Sequence, residues 1–231
     1  MQHIGATRET GPARQLRDHG RHAWTGRAAL ALIVWGAGIG SGSAAESQVT
    51  LEEVATAIGA SPAWQVAFTQ RYVPTGFETG ASESGALTVT PPASLRFDYG
   101  GGQPRVFATD GAVARWVDPA AQACTAIRVD ASTWGRLPLA ALLDPGAARG
   151  AFAVAAAGRT LTLTAREVTP ELVSVVVEVG RDSLPAAVTV VDASGNRNEF
   201  ALSSWQRRSA PAPGHFRPAL PGAPPCEPIE E

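Results

Sequence analysis

From residue 64 onward, apolar and polar side chains alternate with a period of two, and this restricts the chain more than any other feature. Leu87-Thr88-Val89-Thr90 and Leu95-Arg96-Phe97-Asp98-Tyr99 alternate cleanly, and residues 64–72 do so more broadly. A period of two puts alternate side chains on opposite faces of a strand, here one dry and one wet. Val106 to Val117 reads as a hairpin turning at Asp110-Gly111, and residues 122–129 as a further strand. The same pattern resumes at 151–157, 159–166, 172–179, 185–192 and 197–205. The consecutive prolines Pro91 and Pro92 predict an edge or a bulge between their two runs. Residues 50–58 break the period. Thr50 and Glu53 form a capping box, and Leu51, Val54, Ala55 and Ile58 form a helical stripe that ends at Gly59. Leu137, Leu139, Leu142 and Leu143 suit one face of a second helix over 133–148, with Asp144-Pro145-Gly146 as its stop. About ten strands and two or three short helices imply a mainly β (α+β) domain, a curved antiparallel sheet whose concave face is plugged by helices.

The first 45 residues have a different character. Five Arg with few acids precede an apolar run over 28–39, followed by small residues ending at Ala44-Ala45. This predicts a secretory signal over residues 1–45, with the mature chain beginning near Glu46. The alternative, a retained anchor, is disfavoured because the run is too short for about 30 Å of hydrocarbon. One folded domain is expected over 46–222, and a Pro-rich tail over 223–231. No Cys lies near the cleavage point to carry a lipid anchor. In an exported chain the pair Cys124 and Cys226 suggests a disulfide, the alternative being two unpaired thiols.

The composition narrows the chemistry. The 19 basic residues are all Arg, so lysine Schiff-base and P-loop chemistry are excluded. Five of these and two of the 21 acids precede Glu46, leaving 14 Arg against 19 acids, a net charge of −5. That is no footprint for nucleic acid. Only His215 of the four His lies beyond residue 45, so neither a metal site nor a cofactor is expected. A hydrolase would have to use His215 or a carboxylate pair such as Asp98 and Asp110. What remains is a large dry surface: Leu87, Val89, Leu95, Phe97, Tyr99, Trp116, Phe152 and Phe200, extended by Leu139, Leu142 and Leu143. It reads either as an ordinary core or as a cavity for an apolar ligand.

Several short motifs, in order, resemble the outer-membrane lipoprotein carrier family, LolA. They are Phe68-Thr69-Gln70; Gly85, Leu87 and Val89 leading to Pro92, Leu95, Arg96, Phe97 and Tyr99; Asp110-Gly111 followed by Trp116; Gly195-Asn196 with Phe200; and Phe216 to Gly222. Together they span about residues 50–222. The resemblance implies an incomplete β-barrel with a helical lid over a hydrophobic cavity, and a non-enzymatic, monomeric role in the periplasm. The cargo would be the acyl chains of a lipoprotein or lipid, received from an inner-membrane ABC transporter and passed to a LolB-like outer-membrane acceptor. Many members carry Arg just before the proline matching Pro92, where it helps hold the lid. Pro91 stands at that lid-contact position here and offers neither charge nor N–H. A glycolipid or other hydrophobic cargo, or a periplasmic binding or sensory β-domain, are the alternative readings.

Overall fold

The computed structural model describes residues 48–130, 139–212 and 214–228, all within one compact unit spanning Ala44–Glu231. The expected signal over 1–45, and the first part of the expected second helix with Leu137 and Pro138, lie outside the described residues.

Helix α1 (Leu51–Gly59) starts at the Thr50 cap. The Thr50 hydroxyl accepts from the Glu53 N–H at 3.2 Å, and the Glu53 carboxylate accepts from the Thr50 N–H at 2.8 Å. Two of the N–H groups a helix start leaves unpaired are thereby satisfied. Leu51, Val54 and Ile58 are buried. The Ile58 carbonyl, left over at the helix end, accepts from the Trp64 indole at 2.7 Å and ties the helix to the first strand.

Eleven antiparallel strands follow: β1 (Ala63–Val73), β2 (Ala81–Thr90), β3 (Ser94–Tyr99), β4 (Arg105–Thr109), β5 (Val113–Asp118), β6 (Ala123–Arg128), β7 (Phe152–Ala157), β8 (Thr160–Thr169), β9 (Leu172–Val179), β10 (Pro185–Val191) and β11 (Arg197–Arg208). Their spatial order is β6-β5-β4-β3-β2-β1-β11-β10-β9-β8-β7, so one continuous sheet has β1 at its centre and β6 and β7 as its two margins. It curls without closing. The predicted alternation holds on β3, where Leu95, Phe97 and Tyr99 are buried and Arg96 and Asp98 are partly exposed. An extra residue in β11 opposite Gln65–Ala67, where Ser204 takes φ 55°, bends the central pair. Beyond it the rings of Trp64 and Trp205 meet edge to face at 5.7 Å.

Two local expectations are corrected. Pro91 and Pro92 fall in the turn joining β2 to β3, and both strands are interior. A turn needs no ladder N–H from either proline, so no edge or bulge is required. Among its described residues, 139–148, the expected second helix does not stop at Asp144-Pro145. A 3-10 turn covers Ala140–Leu142, and a separate helix α2 (Pro145–Ala151) begins where the stop was expected. The Asp144 side chain accepts from the Ala147 N–H at 2.9 Å and proline occupies the first turn, so the residues read as a terminator are a start signal.

The helices pack onto part of the concave face of the sheet. Leu51, Val54 and Ile58 of α1 pack with Leu139, Leu142 and Ala148 onto Val66, Leu87, Val89, Leu95, Leu161 and Leu163. The outer face of β3–β6 is covered by the C-terminal segment. The Arg96 guanidinium donates to the His215 carbonyl at 2.8 Å, and that of Arg217 to Asp110 Oδ2 at 3.1 Å. Arg115, only 1% exposed, donates to the Cys226 carbonyl at 2.9 Å and to the Glu227 carboxylate at 3.0 Å. Cys124 and Cys226 are joined by a disulfide across 102 residues. This strap buries Ala108 and Val117, which alternation alone would leave wet.

Candidate site: an aromatic hollow at the unfilled end

The register places inward-facing aromatic residues side by side on successive strands. Phe97 is opposite Phe107, and Phe107 is opposite Trp116. Phe68 and Phe97 meet edge to face at 5.2 Å, as do Phe68 and Tyr99. Tyr99 and Trp116 are 5.5 Å apart, and Phe97 reaches Phe200 of β11 at 5.8 Å. Such contacts orient rings as well as bury them. Gly85 makes this packing possible: any Cβ there would lie 2.9 Å from the Phe68 ring and 2.0 Å from the Asp98 carbonyl oxygen.

These rings face a partly open hollow of about 500 Å³. That lies within the range of roughly 300–1,000 Å³ typical of ligand pockets. It sits at the end of the sheet carrying the β8–β9 and β10–β11 turns. Phe97, Tyr99, Phe107, Trp116 and Phe200 form one wall, and Val190 of β10 with Pro170 faces them. Strand curvature therefore brings β5 and β10, six places apart in the sheet, to a single space.

The rim is polar and ordered. The Tyr99 hydroxyl donates to Gln70 Oε1 at 2.7 Å, and Gln70 Nε2 donates to Asn198 Oδ1 at 2.9 Å. Burial, reinforced by the nearby Glu83 carboxylate, pushes the Tyr99 phenol up to about 12. The Arg105 guanidinium lies 5.6 Å from the centre of the Tyr99 ring and 5.5 Å from that of Trp116, and is ion-paired with Glu83. Asp192 is held below its ordinary range by the Asn196 amide and the N–H groups of its own turn.

Of the residues expected to line a cavity, Phe97, Tyr99, Trp116 and Phe200 line this hollow. Leu87, Val89, Leu95, Leu139, Leu142 and Phe152 do not line it; they are packed into the core to which Phe97, Tyr99 and Phe200 also belong, and Leu143 packs against its edge. Pro91 sits in the β2–β3 turn, where Ala93 touches the Asp110–Ala112 turn closely enough that a side chain on Gly111, φ 88°, would collide. Phe107, Val190, Tyr72, Glu83 and Asn198 were not among the residues expected at a site, and Gln70 was named only as part of the Phe68-Thr69-Gln70 motif. The hairpin register that pairs Phe107 with Trp116 was a usable signal for the first. The polar rim had none, because selection by hydropathy passes over it.

His215 lies in the strap on the outer face, not in the hollow. Its burial, and then Arg96, push its imidazole below the ordinary value. Asp98 is taken up by Arg96 and Asp110 by Arg115 and Arg217, so neither forms a carboxylate pair with the other. Among the described residues no group of three or more His, Cys, Asp and Glu could hold a metal ion, and no helix is long and apolar enough to cross a membrane.

Residues 59–219 match the model of the family described as outer membrane lipoprotein carrier protein LolA. The chain belongs to this family. A protein of Xanthomonas axonopodis pv. citri named outer-membrane lipoprotein carrier protein is 29% identical over 157 residues, which is 65% of this chain and 74% of the relative. Among solved structures, a LolA superfamily protein from Nitrosomonas europaea aligns with a TM-score of 0.40 at 11% identity, covering 71% of this chain and 96% of the other. A conserved protein from Thermus thermophilus aligns at 0.47 and 8% identity, covering 75% and 94%.

Proposed function

We propose that this protein is a non-enzymatic periplasmic carrier that shelters the acyl chain of a lipoprotein or other lipid in the aromatic hollow and ferries it from inner to outer membrane. It acts as a monomer, loaded by an inner-membrane ABC transporter and unloaded onto a LolB-like acceptor, after residues 1–45 have directed its export. Family membership and the relatives' names support the cargo class. The observation that carries the reading is the partly open hollow of about 500 Å³ at the margin of the core, lined by Phe97, Tyr99, Phe107, Trp116 and Phe200.

The energetics suit that role. Each CH₂ removed from water is worth about 0.8 kcal/mol, so a chain of some 16 carbons gains roughly 12 kcal/mol by entering an apolar site. Release into water is then negligible, and handover must be to an acceptor at least as apolar. Such a carrier needs no directional chemistry, only an apolar wall and an ordered rim.

The test is to export the full chain with its own leader, purify it from the periplasm without detergent and extract bound lipid for mass spectrometry. Stoichiometric acylated material, lost in a Val190→Arg variant that puts a charge into the hollow, is expected. Lipid-free protein that also fails to take up an acylated peptide would overturn the proposal.

A further inference from the structure

On the two central strands the inward row turns from apolar to amide at the hollow. Along β1 it runs Val66, Phe68, Gln70, and along β11 it runs Leu202, Phe200, Asn198. Both amides line the hollow and are half-buried. They form a relay with a direction. The Tyr99 hydroxyl, on a side chain only 8% exposed, has one proton to give, and among the described residues Gln70 Oε1 is the acceptor it finds, at 2.7 Å. That turns the Gln70 amide so that its nitrogen donates to Asn198 Oδ1 at 2.9 Å. Both amide oxygens therefore already accept a donor. A primary amide carries two N–H bonds, so one on Gln70 and both on Asn198 are left over, and among the described residues nothing accepts them. The nearby carboxylates are engaged elsewhere: Glu83 by Arg105, and Asp192 by the N–H groups of Ser194 and Asn196 and the Asn196 amide.

We propose that the spare N–H groups of Gln70 and Asn198 recognise the carbonyl oxygen of the acyl group, so that the hollow takes ester- and amide-linked acyl chains in preference to alkyl chains without a carbonyl. Tyr99 is the positioning residue that fixes which way the two amides point. This rests on the carrier reading of the same hollow and deepens it by naming the linkage. Aromatic walls hold methylenes alike wherever they lie, so they set no depth of insertion. The carbonyl is the point at which an acyl chain first becomes polar, and pairing it with the amides fixes the chain in register. A methylene in its place leaves part-buried donors unpaired, which costs more than the bond itself returns.

Two uncharged probes that differ by one carbonyl test it: monomyristoylglycerol, an ester, and tetradecylglycerol, its ether counterpart. Each is titrated below its solubility limit against the full mature chain, displacing a neutral fluorescent acyl probe. Hydrophobic burial alone favours the ether, which carries a methylene where the ester carries its carbonyl. The ester is nevertheless expected to bind more tightly, by roughly threefold to tenfold, the size of one net hydrogen bond. Asn198→Asp replaces the donating nitrogen by an oxygen of the same shape, and because both probes are uncharged its added charge bears on them alike; the ester preference should fall to near unity or reverse. Tyr99→Phe frees the Gln70 amide to turn and should shrink the ratio while both probes still bind. Equal binding in the wild type, or tighter binding of the ether, would overturn the recognition and leave the carrier reading standing. An ester preference that survives Asn198→Asp unchanged would overturn its assignment to these amides. Binding of neither probe would overturn both readings.

Discussion

Truncating an inward side chain should have very different consequences in the core and at the hollow. Leu87 is 0% exposed, facing Val66 on β1 and Phe97 on β3. Leu87→Ala removes its methyl groups and leaves a closed void, which the packed helices cannot fill. Buried Leu→Ala changes of this kind cost about 3–5 kcal/mol, the transfer loss plus a cavity penalty. Trp116 is larger but half-buried, and one side of its ring already faces the hollow. Trp116→Ala enlarges an existing space, so the penalty for a new closed cavity largely disappears. Partial burial of the ring and its contact with Arg105 put the cost at about 1–2 kcal/mol. Guanidinium unfolding of both variants, compared at equal m-values, measures the difference. The same samples titrated with an acyl probe should show the reverse order, with Trp116→Ala losing most affinity and Leu87→Ala keeping it. If Trp116→Ala destabilises the fold as much as Leu87→Ala, the aromatic wall is packed against something in solution, and the division into packed core and hollow wall is wrong.

Other perturbations address the supports of the site. Replacing Cys124 and Cys226 together by Ser opens a loop closed across 102 residues. The chain-entropy model gives up to about 4.7 kcal/mol for such a loop, so a lower unfolding midpoint, matched by adding reductant to the wild type, is expected; an unchanged midpoint would mean that the contacts of Arg96, Arg115 and Arg217 hold the strap without the disulfide. Gly85→Val forces a Cβ to within 2.0 Å of the Asp98 carbonyl and should abolish folded, soluble protein, whereas a variant that retains native circular dichroism would contradict the β2–β3 register. In a Tyr72→Phe background, Tyr99 should ionise at about 12 in a spectrophotometric titration. Its raised value means the neutral phenol favours the fold, so that contribution is intact below the unfolded value of about 10 and lost as pH rises through 12. A midpoint near 10 would place the ring in water.

Much of the architecture was legible because the signals are local. The Thr50–Glu53 cap, the alternation at 87–99 and the Asp110-Gly111 turn each depend on residues within a few positions of one another. Asp144-Pro145 was ambiguous for the same reason: an acid followed by proline can close one helix or open the next, and the preceding backbone decides. The position of the hollow was not legible. A period of two assigns Leu95 and Tyr99 to the same face but says nothing about how far along the strands the packed core reaches, and that reach leaves Leu95 in the core while Tyr99 borders the hollow. The strap was hidden too. Arg115 looks like a solvated strand residue until the chain more than a hundred positions later delivers Cys226 and Glu227 to it.

The most direct measurement of the central claim is paramagnetic broadening by a fatty acyl chain spin-labelled near its terminus, added to protein with labelled methyl and aromatic groups. Signals from Val190, Phe97 and Trp116 should broaden at stoichiometric probe, while Leu51 and Leu142, beneath the helices, stay sharp. Uniformly sharp spectra, or broadening confined to outer-face residues such as Ala187 and Thr189, would contradict the account.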